Sequence, residues 1–578
     1  MKDRFNNEIG TKEPLNNWTE INWKPIKKRV RNLRQRIYRA TENRQWNKVR
    51  SLMKLMLRSY SNLLLSVRKV TQENQGRKTA GLDGQTALTP GQRMILVKEM
   101  QEHSLWQVRP TKRIYIPKAS GTKLRPLGIP TIKNRIAQTI VKNALEPTWE
   151  ARFEAHSYGF RPGRSCQDAI EQCHNRLRGG QRSSQDQWVL DADIKGAFDN
   201  ISHDYILNTI GNSPGRNLIK QWLKAGYVEA EVFHKTESGT PQGGCISPLL
   251  ANIALDGMEK LLSSYIKLKT YQPSPTAKRQ QIVRRQSAKY GFIRYADDFL
   301  VTAQSQEDIE AIIPVLSVWL QQRGLELNQE KTKVIHVPQG LNFLGFHIRQ
   351  FHHNCFTFPQ KDKVLDKLRE IQQWLNQHRH TQPEAVIQFL NPILRGWANY
   401  YKFCCSKRTF SYFHYRLWRM LWYWALKRHP NKSKTWVAHK YFRSLNGVKW
   451  TFSADARDRH GNQITISLFN ITTIPIQRYS KVKGTASPDD PALVPYWLHR
   501  QTSQGKTYWA KGSKYYSVAQ HQDWKCPVCG EHLFNGEQLQ LHHLVPIKDA
   551  GTDKQENLVH LHKTCHQHLH TGKHSRKP

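Results

Sequence analysis

Apolar positions near the start of the chain recur at helical spacing. Val30, Leu33 and Ile37 form one set, and residues 49–57 continue it, with arginine and lysine between the apolar positions. A repeat of three to four residues places apolar side chains on one face of a helix. We therefore predict basic helices over residues 18–70, which either lie on RNA or form the solvated face of a helical bundle.

Residues 79–360 show a mixed pattern. Short apolar runs typical of strands lie at 114–116, 188–190, 292–293 and 299–301. They alternate with longer helical patterns such as 308–322, and this alternation predicts an α+β fold. A basic, proline-containing stretch from Lys267 to Lys289 has no clear periodicity and is predicted to be an exposed insertion loop.

Helical periodicity returns from Lys363 to about Leu445, where aromatic residues are frequent. Most of these rings must lie in a core, but arginines such as Arg416 and Arg419 are interleaved with them. A helical bundle that is rich in aromatics and has a cationic face suits a clamp on a nucleic-acid duplex. Residues 451–522 lack clear periodicity and predict an irregular linker that also contacts DNA.

Length and charge narrow the function classes. The 578 residues allow about four domains at roughly 150 residues each,. Lysine and arginine number 89 against 45 aspartates and glutamates, and a formal charge of +44 favours nucleic acid as the partner,. No apolar run approaches the ~18 residues of a membrane span, and residues 1–30 lack the apolar core of a secretion signal. We expect a cytoplasmic protein with no membrane partner.

Three carboxylates predict a two-metal site. Asp297 and Asp298 are flanked on both sides by apolar, β-like residues, which places the pair at the tip of a hairpin, and Asp193 follows another strand-like run. In nucleotidyl transfer one cation activates the attacking 3′-hydroxyl and a second holds the triphosphate, about 3.5–4 Å away. Carboxylate oxygens suit Mg²⁺, and cations relieve the repulsion between like charges.

Companion motifs surround these carboxylates. Residues 113–118 and 123–130 predict a strand, a turn and a strand with cations placed to grip a triphosphate, and the glycine-rich segment 239–244 permits close approach of the backbone to a base pair,. In the order of these blocks the chain resembles the reverse transcriptases encoded by group II introns. Further matching blocks lie at 79–84, 157–163, 327–333 and 343–346.

The resemblance implies a right-hand polymerase with fingers and palm. It implies that Asp193, Asp297 and Asp298 bind two Mg²⁺ ions, with the backbone carbonyl of Ile194 as a further ligand. The residues it implies for binding dNTPs are Lys118 and Arg125 at the triphosphate, Gln242 in the nucleotide site and Phe198 beneath the sugar. Lys331 either protonates the leaving group or is a surface lysine, and Asp191 and Asp199 are expected to support the site rather than act in it.

Residues 390–401 resemble the signature of the maturase domain, which is also the polymerase thumb. The resemblance implies that this region, together with the N-terminal extension, binds group II intron RNA and helps it fold for splicing. The RNA itself carries out the splicing chemistry.

Four residues near the C-terminus have metal-ligand spacing. Cys526 and Cys529 form one pair, and His562 and Cys565 form another, each separated by two residues. This spacing predicts a closed tetrahedral zinc site. A module this short could scarcely form a stable apolar core without a bound metal.

Histidines between and after these pairs resemble the HNH nuclease family, in which two strands and a helix bind one divalent cation. His566 and His570 are four residues apart and share one helix face. The roles that the resemblance implies are cation ligands for His542, His566 and His570, the general base for His543 and support of the base strand for Asn557. An acidic residue is common where this chain has Gln540, and this departure is expected to lower metal affinity or change metal preference.

Together the motifs predict a multidomain α+β protein. The predicted parts are an N-terminal helical extension over 1–90, fingers and palm over 91–360, a helical thumb or maturase domain over 361–450, a DNA-binding region or linker over 451–522 and a small ββα-metal HNH domain with zinc over 523–578. We expect a protein that assists splicing of its intron, nicks a DNA target and copies the intron RNA from the new 3′ end. The alternatives are a splicing cofactor with inactive enzyme sites and a stand-alone reverse transcriptase.

Overall fold

The fold was analysed in a computed structural model. It describes residues 17–102, 108–117, 124–178, 186–271, 283–352, 354–445, 447–457, 463–509 and 512–571. Helices and six small sheets are mixed along this part of the chain. None of the helices in the described ranges is both long and apolar enough to cross a membrane.

The α-helices of the described residues are α1 (Trp23–Glu42), α2 (Trp46–Arg58), α3 (Tyr60–Arg68), α4 (Pro90–Glu102), α5 (Ile132–Glu150), α6 (Cys166–Leu177), α7 (Ala197–Asn200), α8 (His203–Ile210), α9 (Arg216–Lys224), α10 (Ser247–Ala254), α11 (Met258–Ser263), α12 (Gln306–Gln321), α13 (Lys361–Gln377), α14 (Pro383–Tyr401), α15 (Lys407–Arg428), α16 (Lys434–Tyr441), α17 (Val494–Lys506), α18 (Lys514–His521) and α19 (Lys563–Thr571). A π-helical turn, Lys69–Glu73, continues α3.

The strands are β1 (Thr111–Pro117), β2 (Leu124–Ile129), β3 (Trp188–Ala192), β4 (Tyr227–Glu229), β5 (Val232–His234), β6 (Ile266–Tyr271), β7 (Val283–Ala288), β8 (Gly291–Tyr295), β9 (Asp298–Ala303), β10 (Lys333–His336), β11 (Leu341–Phe343), β12 (Phe346–Phe351), β13 (Asn354–Pro359), β14 (Phe442–Leu445), β15 (Val448–Arg457), β16 (Gln463–Ser467), β17 (Leu539–His543) and β18 (Leu558–His562).

The helices predicted at the N-terminus are confirmed. In α1 the buried residues Ile26, Val30, Leu33 and Ile37 follow the three-to-four spacing, and they face α5 across a shared core. Side chains cap two of these helices, since Asn22 accepts a hydrogen bond from the Lys24 amide and Ser59 starts α3. Such caps satisfy backbone donors that a helix start leaves unpaired.

The central sheet has the strand order β10-β3-β9-β8, with every neighbouring pair antiparallel. A second four-stranded sheet has the order β2-β1-β4-β5. The central sheet is buried on its inner positions, with Val189, Leu190, Phe299 and Leu300 fully enclosed. It brings the end of β3 next to the β8–β9 turn, which positions the catalytic candidates.

Two local predictions were wrong. The stretch from Lys267 to Lys289 is not a loop at its ends, because β6 and β7 pair as an antiparallel hairpin in which Ile266 opposes Ala288. The region 451–522 is not irregular either, since it contains most of β15, all of β16 and the helices α17 and α18. Polar and apolar residues alternate over 451–457, with Phe452, Ala454 and Ala456 at every second position, and this strand signal was missed,.

Candidate functional site

The β8–β9 turn presents the paired carboxylates, as predicted. Tyr295 pairs with Asp298, which leaves Ala296 and Asp297 as a two-residue turn with Ala296 at φ 59°. A residue with a side chain seldom adopts this conformation, at a cost of roughly 1–2 kcal/mol. The surroundings must therefore hold the turn in place.

A buried network behind the turn provides this support. The Arg294 Nη1 atom donates to the carbonyl oxygen of Ala296 at 3.1 Å and to the Asn252 side chain at 3.0 Å, and Asn252 donates to the carbonyl oxygen of Gly159 at 2.8 Å. A Cβ atom at Gly159 would lie 2.3 Å from the Ala296 nitrogen. Glycine is therefore required at this close contact. Sequence reasoning placed Gly159 in a matching block but did not give it this role.

Asp193 follows β3 directly and lies beside β9 in the same sheet. Its Oδ2 atom lies 2.5 Å from the Lys331 Nζ atom and accepts a hydrogen bond from Asn328 at 3.2 Å. Lys331 is thus placed at the carboxylates rather than on a remote surface. The contact with Asn328 was not foreseen, because no charge or spacing in the sequence distinguishes this asparagine.

Crowding of the carboxylates alters their protonation. Burial, together with the charges of Asp297 and Asp193, raises the pKa of Asp298 to about 7, and burial also raises the pKa of Asp297. The carboxylate oxygens of Asp193, Asp297 and Asp298 do not form a group in which all three residues have an oxygen within 4.8 Å of the others. Among the described residues, groups of three or more possible metal ligands at that spacing occur only at two places near the C-terminus. A set of crowded, mutually repelling carboxylates, of which Asp298 is exposed to solvent, nevertheless fits the oxygen chemistry that Mg²⁺ prefers,.

The Ile194 carbonyl, which is predicted to be a metal ligand, is not used by the hydrogen bonds of the adjacent strand bridge. Ile194 is buried and forms an isolated antiparallel bridge with Leu327. The two hydrogen bonds of this bridge are made by the flanking Lys195 amide and Asp193 carbonyl, so they do not use the carbonyl of Ile194.

Three of the predicted nucleotide-binding residues, Arg125, Gln242 and Phe198, lie near one another. Arg125 donates from Nε to the Gln242 Oε1 atom at 2.8 Å, and its charge opposes the rise in the pKa of Asp297. Phe198 and Gln242 line the same cleft of about 390 Å³. Lys118 lies outside the described residues.

The two carboxylates expected to play supporting roles lie nearby. Asp191 is on β3 opposite Lys333, and burial raises the pKa of its carboxyl to about 6. Asp199 is exposed, and its backbone packs against Gly239, where a Cβ atom would lie 2.4 Å from the Asp199 carbonyl oxygen.

Helix α15 presents a cationic face without any acidic residue along its 22 positions. Tyr412, Arg416, Arg419, Tyr423 and Lys427 follow three-to-four spacing along α15, and all of them except Tyr412 line a groove of about 350 Å³ against α13. The cations pair with rings rather than carboxylates, since Arg416 donates to the Tyr412 hydroxyl at 2.9 Å and Arg419 lies 5.9 Å from the Tyr423 ring. These charges therefore remain available to phosphate groups.

The predicted zinc ligands come together at the C-terminus. Cys526, Cys529, His562 and Cys565 are all buried, and their ligand atoms lie within 4.8 Å of one another. The His562 Nε2 atom is 3.2 Å from the carbonyl oxygens of His532 and Leu533, acceptors that hold the proton on Nε2 and leave Nδ1 for a metal,. The donor set and its buried setting fit a closed tetrahedral zinc site.

A second group of three histidines lies beside it, where β17 and β18 pair and α19 follows. The predicted cation ligands His542, His566 and His570 again have ligand atoms within 4.8 Å of one another. Burial and the neighbouring His570 and His543 lower the pKa of His542, which favours the neutral imidazole that a metal needs,. Gln540 and His542 point to the same face of β17, and the Gln540 Oε1 atom is buried without a partner in the described part of the chain,.

His543 and Asn557, the predicted general base and its supporting residue, both have hydrogen-bond partners in neighbouring loops. The His543 Nε2 atom lies 3.1 Å from an Asp553 oxygen, and Asp553 also contacts Lys514 of α18. Asn557 accepts from the Val545 amide at 2.7 Å and donates to the Thr552 carbonyl at 2.7 Å, which ties down the loop after β17. No sequence signal identified Asp553, because it lies in an exposed loop outside every motif.

Four family models match the chain in an order that agrees with these sites. They are the N-terminal domain of reverse transcriptase at 18–100, reverse transcriptase (RNA-dependent DNA polymerase) at 116–348, the group II intron maturase-specific domain at 364–442 and HNH endonuclease at 526–572. The chain is therefore a reverse transcriptase that also carries a maturase domain and an HNH nuclease domain.

Known relatives give the family. The group II intron-encoded protein LtrA of Lactococcus lactis subsp. cremoris is 30% identical over 439 residues, which cover 62% of this chain and 71% of that protein. Protein YkfC of Escherichia coli (strain K12) is 33% identical over 302 residues, 49% of this chain and 79% of that one. The chain belongs to the family of group II intron-encoded proteins. A telomerase structure from Candida albicans covers 59% of this chain and 61% of its own at 13% identity, and its TM-score of 0.30 is too low to bear on the fold.

Proposed function

We propose that this protein nicks one strand of a DNA target and then copies its intron RNA from the new 3′ end, after helping that RNA to fold for splicing. The observation that carries the proposal is that one chain holds both a carboxylate cluster suited to nucleotide addition and a histidine cluster suited to phosphodiester cleavage. Cleavage leaves the 3′-hydroxyl that nucleotide addition requires.

At the palm, Asp193, Asp297, Asp298 and the Ile194 carbonyl would hold two Mg²⁺ ions, which would supply activation of the primer hydroxyl and neutralisation of the pyrophosphate charge. Lys118 and Arg125 bind the triphosphate of the incoming dNTP, and Gln242 lines its site. Phe198 lies beneath the sugar and excludes a 2′-hydroxyl. Lys331 delivers a proton to the leaving group, a role that its contact with Asp193 supports.

At the nuclease centre, His542, His566 and His570 would hold one divalent cation, which would supply stabilisation of the charge on the scissile phosphate. His543 takes a proton from water as the water oxygen attacks phosphorus. The bond from phosphorus to the 3′ oxygen breaks, and the 3′ oxygen takes a proton from solvent to become a hydroxyl. Asn557 holds the loop that carries the base. Cys526, Cys529, His562 and Cys565 bind a structural Zn²⁺ ion.

The proposed functional parts keep the boundaries predicted from the sequence, near 90, 360, 450 and 522, although the boundary near 450 falls inside β15. The extension and the acid-free face of α15 bind intron RNA, and the region 451–522 contacts target DNA. The assembled histidine cluster and the intact Asp193, Asp297 and Asp298 favour an active enzyme over a splicing cofactor with decayed sites. The maturase and HNH matches favour it over a stand-alone polymerase.

The test uses the full chain bound to its intron RNA, a duplex DNA target labelled at the 5′ end of the strand to be cut, and dNTPs with Mg²⁺. We expect a labelled nick and, from it, longer labelled strands that contain cDNA. A matched duplex already nicked at the same position should be extended without the cleavage step. Extension of intact duplex from any other end, with no nick, would contradict the proposed order.

A further inference from the structure

Arg68, the last residue of α3, reaches from the N-terminal helices into the zinc cluster. Its side chain is 1% exposed. The Nη2 atom donates to the Thr564 Oγ1 atom at 2.7 Å and to the Cys565 Sγ atom at 3.4 Å. Cys565 is one of the four ligands of the proposed zinc site, so a residue from the far end of the chain touches a zinc ligand.

Charge explains why a cation belongs there. Three thiolates and one neutral imidazole leave a net charge of −1 around Zn²⁺, in a buried setting where unpaired charge is unfavourable. The Arg68 guanidinium places a positive charge against one of these sulfurs. Hydrogen-bond donors that contact metal ligands typically change metal affinity by 10–100-fold when removed.

A buried ionic network extends the contact on both sides. Glu537 of the nuclease module lies 3.1 Å from the Lys27 Nζ atom and 3.8 Å from the Arg68 guanidinium, and it accepts a hydrogen bond from Thr564 at 2.6 Å. Although burial favours its neutral form, Lys27 and Arg68 hold the pKa of Glu537 down at about 2. On its other side Arg68 pairs with Glu73 at 3.2 Å. Charged residues of two N-terminal helices and of the nuclease module therefore form one network of ion pairs.

Apolar packing follows the same path. The Arg68 guanidinium lies 4.6 Å from the centre of the Trp23 ring, and Trp23 meets the edge of His568 at 6.4 Å. A single buried cluster runs from Trp18 and Trp23 into Cys526 and the other zinc-site cysteines. A module of this size buries little apolar surface by itself, and the N-terminal helices supply the missing part of its core.

We infer that Arg68 is a positioning residue of the zinc site, and that the N-terminal helices and the nuclease module fold as one unit through it. The module is then not a free domain on a linker. The inference rests on the zinc site of the proposed function and adds to it a partner surface within the chain.

The first experiment measures zinc release from the full-length protein by a chelator in the presence of a colorimetric zinc indicator. Arg68→Met should release zinc about 10–100-fold faster than the unchanged protein. Arg68→Lys, which keeps the charge but loses the planar donor set, should fall between them. Arg31→Met is the matched control, because Arg31 forms an exposed ion pair with Glu531 of the same module at 2.8 Å and touches no zinc ligand.

The second experiment needs no substitution. Zinc is removed from the unchanged protein by the chelator, and hydrogen exchange is followed peptide by peptide. We expect faster exchange in residues 60–73, which contain α3 and its π-helical continuation, and unchanged exchange in β3 of the palm. This reciprocal effect separates coupling from a general loss of folding.

Zinc release from Arg68→Met at the rate of the unchanged protein would overturn the inference, and so would unaltered exchange of residues 60–73 after zinc removal. In either case the zinc site itself would stand, provided the purified protein contains one zinc per chain. Protein without zinc in its folded form would overturn both the site and the inference.

Discussion

The carboxylate cluster and the C-terminal module both gather candidate metal ligands, but they do so in opposite settings. The four ligands of the proposed zinc site come from two short segments and are fully buried. The three palm carboxylates come from the end of one strand and the turn of another hairpin, and Asp298 reaches solvent. A closed set of ligands stabilises a fold, whereas an open set leaves room for substrate. We therefore expect that loss of zinc unfolds the C-terminal module, whereas loss of metal from the carboxylate site only inactivates polymerisation.

Asp297→Ala should have the largest effect. Removing this ligand should lower dNTP incorporation on a primed RNA template by roughly 10³-fold or more, about 4 kcal/mol at 1.36 kcal/mol per tenfold. Assisted splicing and zinc content should not change, because the cationic face of α15 and the zinc cluster are separate surfaces. Primer extension and a splicing assay on the same preparation measure both.

Glu330→Ala is the control for this variant, since Glu330 is exposed next to Lys331 and contacts none of the carboxylates in the described structure. If Asp297→Ala lost splicing assistance or folding together with polymerisation, the palm site would be structural as well as catalytic. The contrast with the zinc site would then fail.

His543→Ala and Cys529→Ser separate the two kinds of metal site within the C-terminal module. Loss of a general base typically costs ~10²–10⁴ in rate, so His543→Ala should reduce nicking by that factor while zinc stays bound. Cys529→Ser should lose zinc, nicking and local folding together, because metal binding supplies folding energy at closed sites. Nicking assays with metal analysis distinguish the two outcomes.

Polymerisation on a supplied primer is the internal control, and both variants should retain it. Full zinc content in the cysteine variant, or unchanged nicking by the histidine variant, would show that the two C-terminal clusters have been assigned wrongly.

Gln540→Glu should have the smallest effect. It compares the open histidine cluster, which lacks a carboxylate, with the open carboxylate cluster. A carboxylate in place of the buried, unpaired amide oxygen should tighten Mn²⁺ binding at the histidine cluster about threefold to tenfold, near the ~1 kcal/mol of a partly exposed charge pair. Free Mn²⁺ can be followed by electron paramagnetic resonance. Gln538→Glu adds the same charge at an exposed position just before β17, and it should leave affinity unchanged.

Short-range features of both sites could be predicted from the sequence. The hairpin at Asp297 and Asp298 followed from its apolar flanks, and the zinc ligands followed from their spacing. Residues that act across the fold could not be predicted. Arg68 and Arg294 are buried arginines without any local signal, and their importance appears only when distant segments meet. The β6–β7 hairpin was missed for the same reason, because strand pairing is not encoded at a single position.

The contact of Gly159 with the Ala296 turn has a consequence for how this polymerase can be altered. A side chain at position 159 would displace the catalytic turn, and a different turn would release Gly159 from its constraint. Substitutions at either position are therefore expected to be tolerated only in combination. A directed-evolution library aimed at nucleotide selectivity or fidelity should randomise the two segments jointly, since changes in one alone will mostly yield inactive clones.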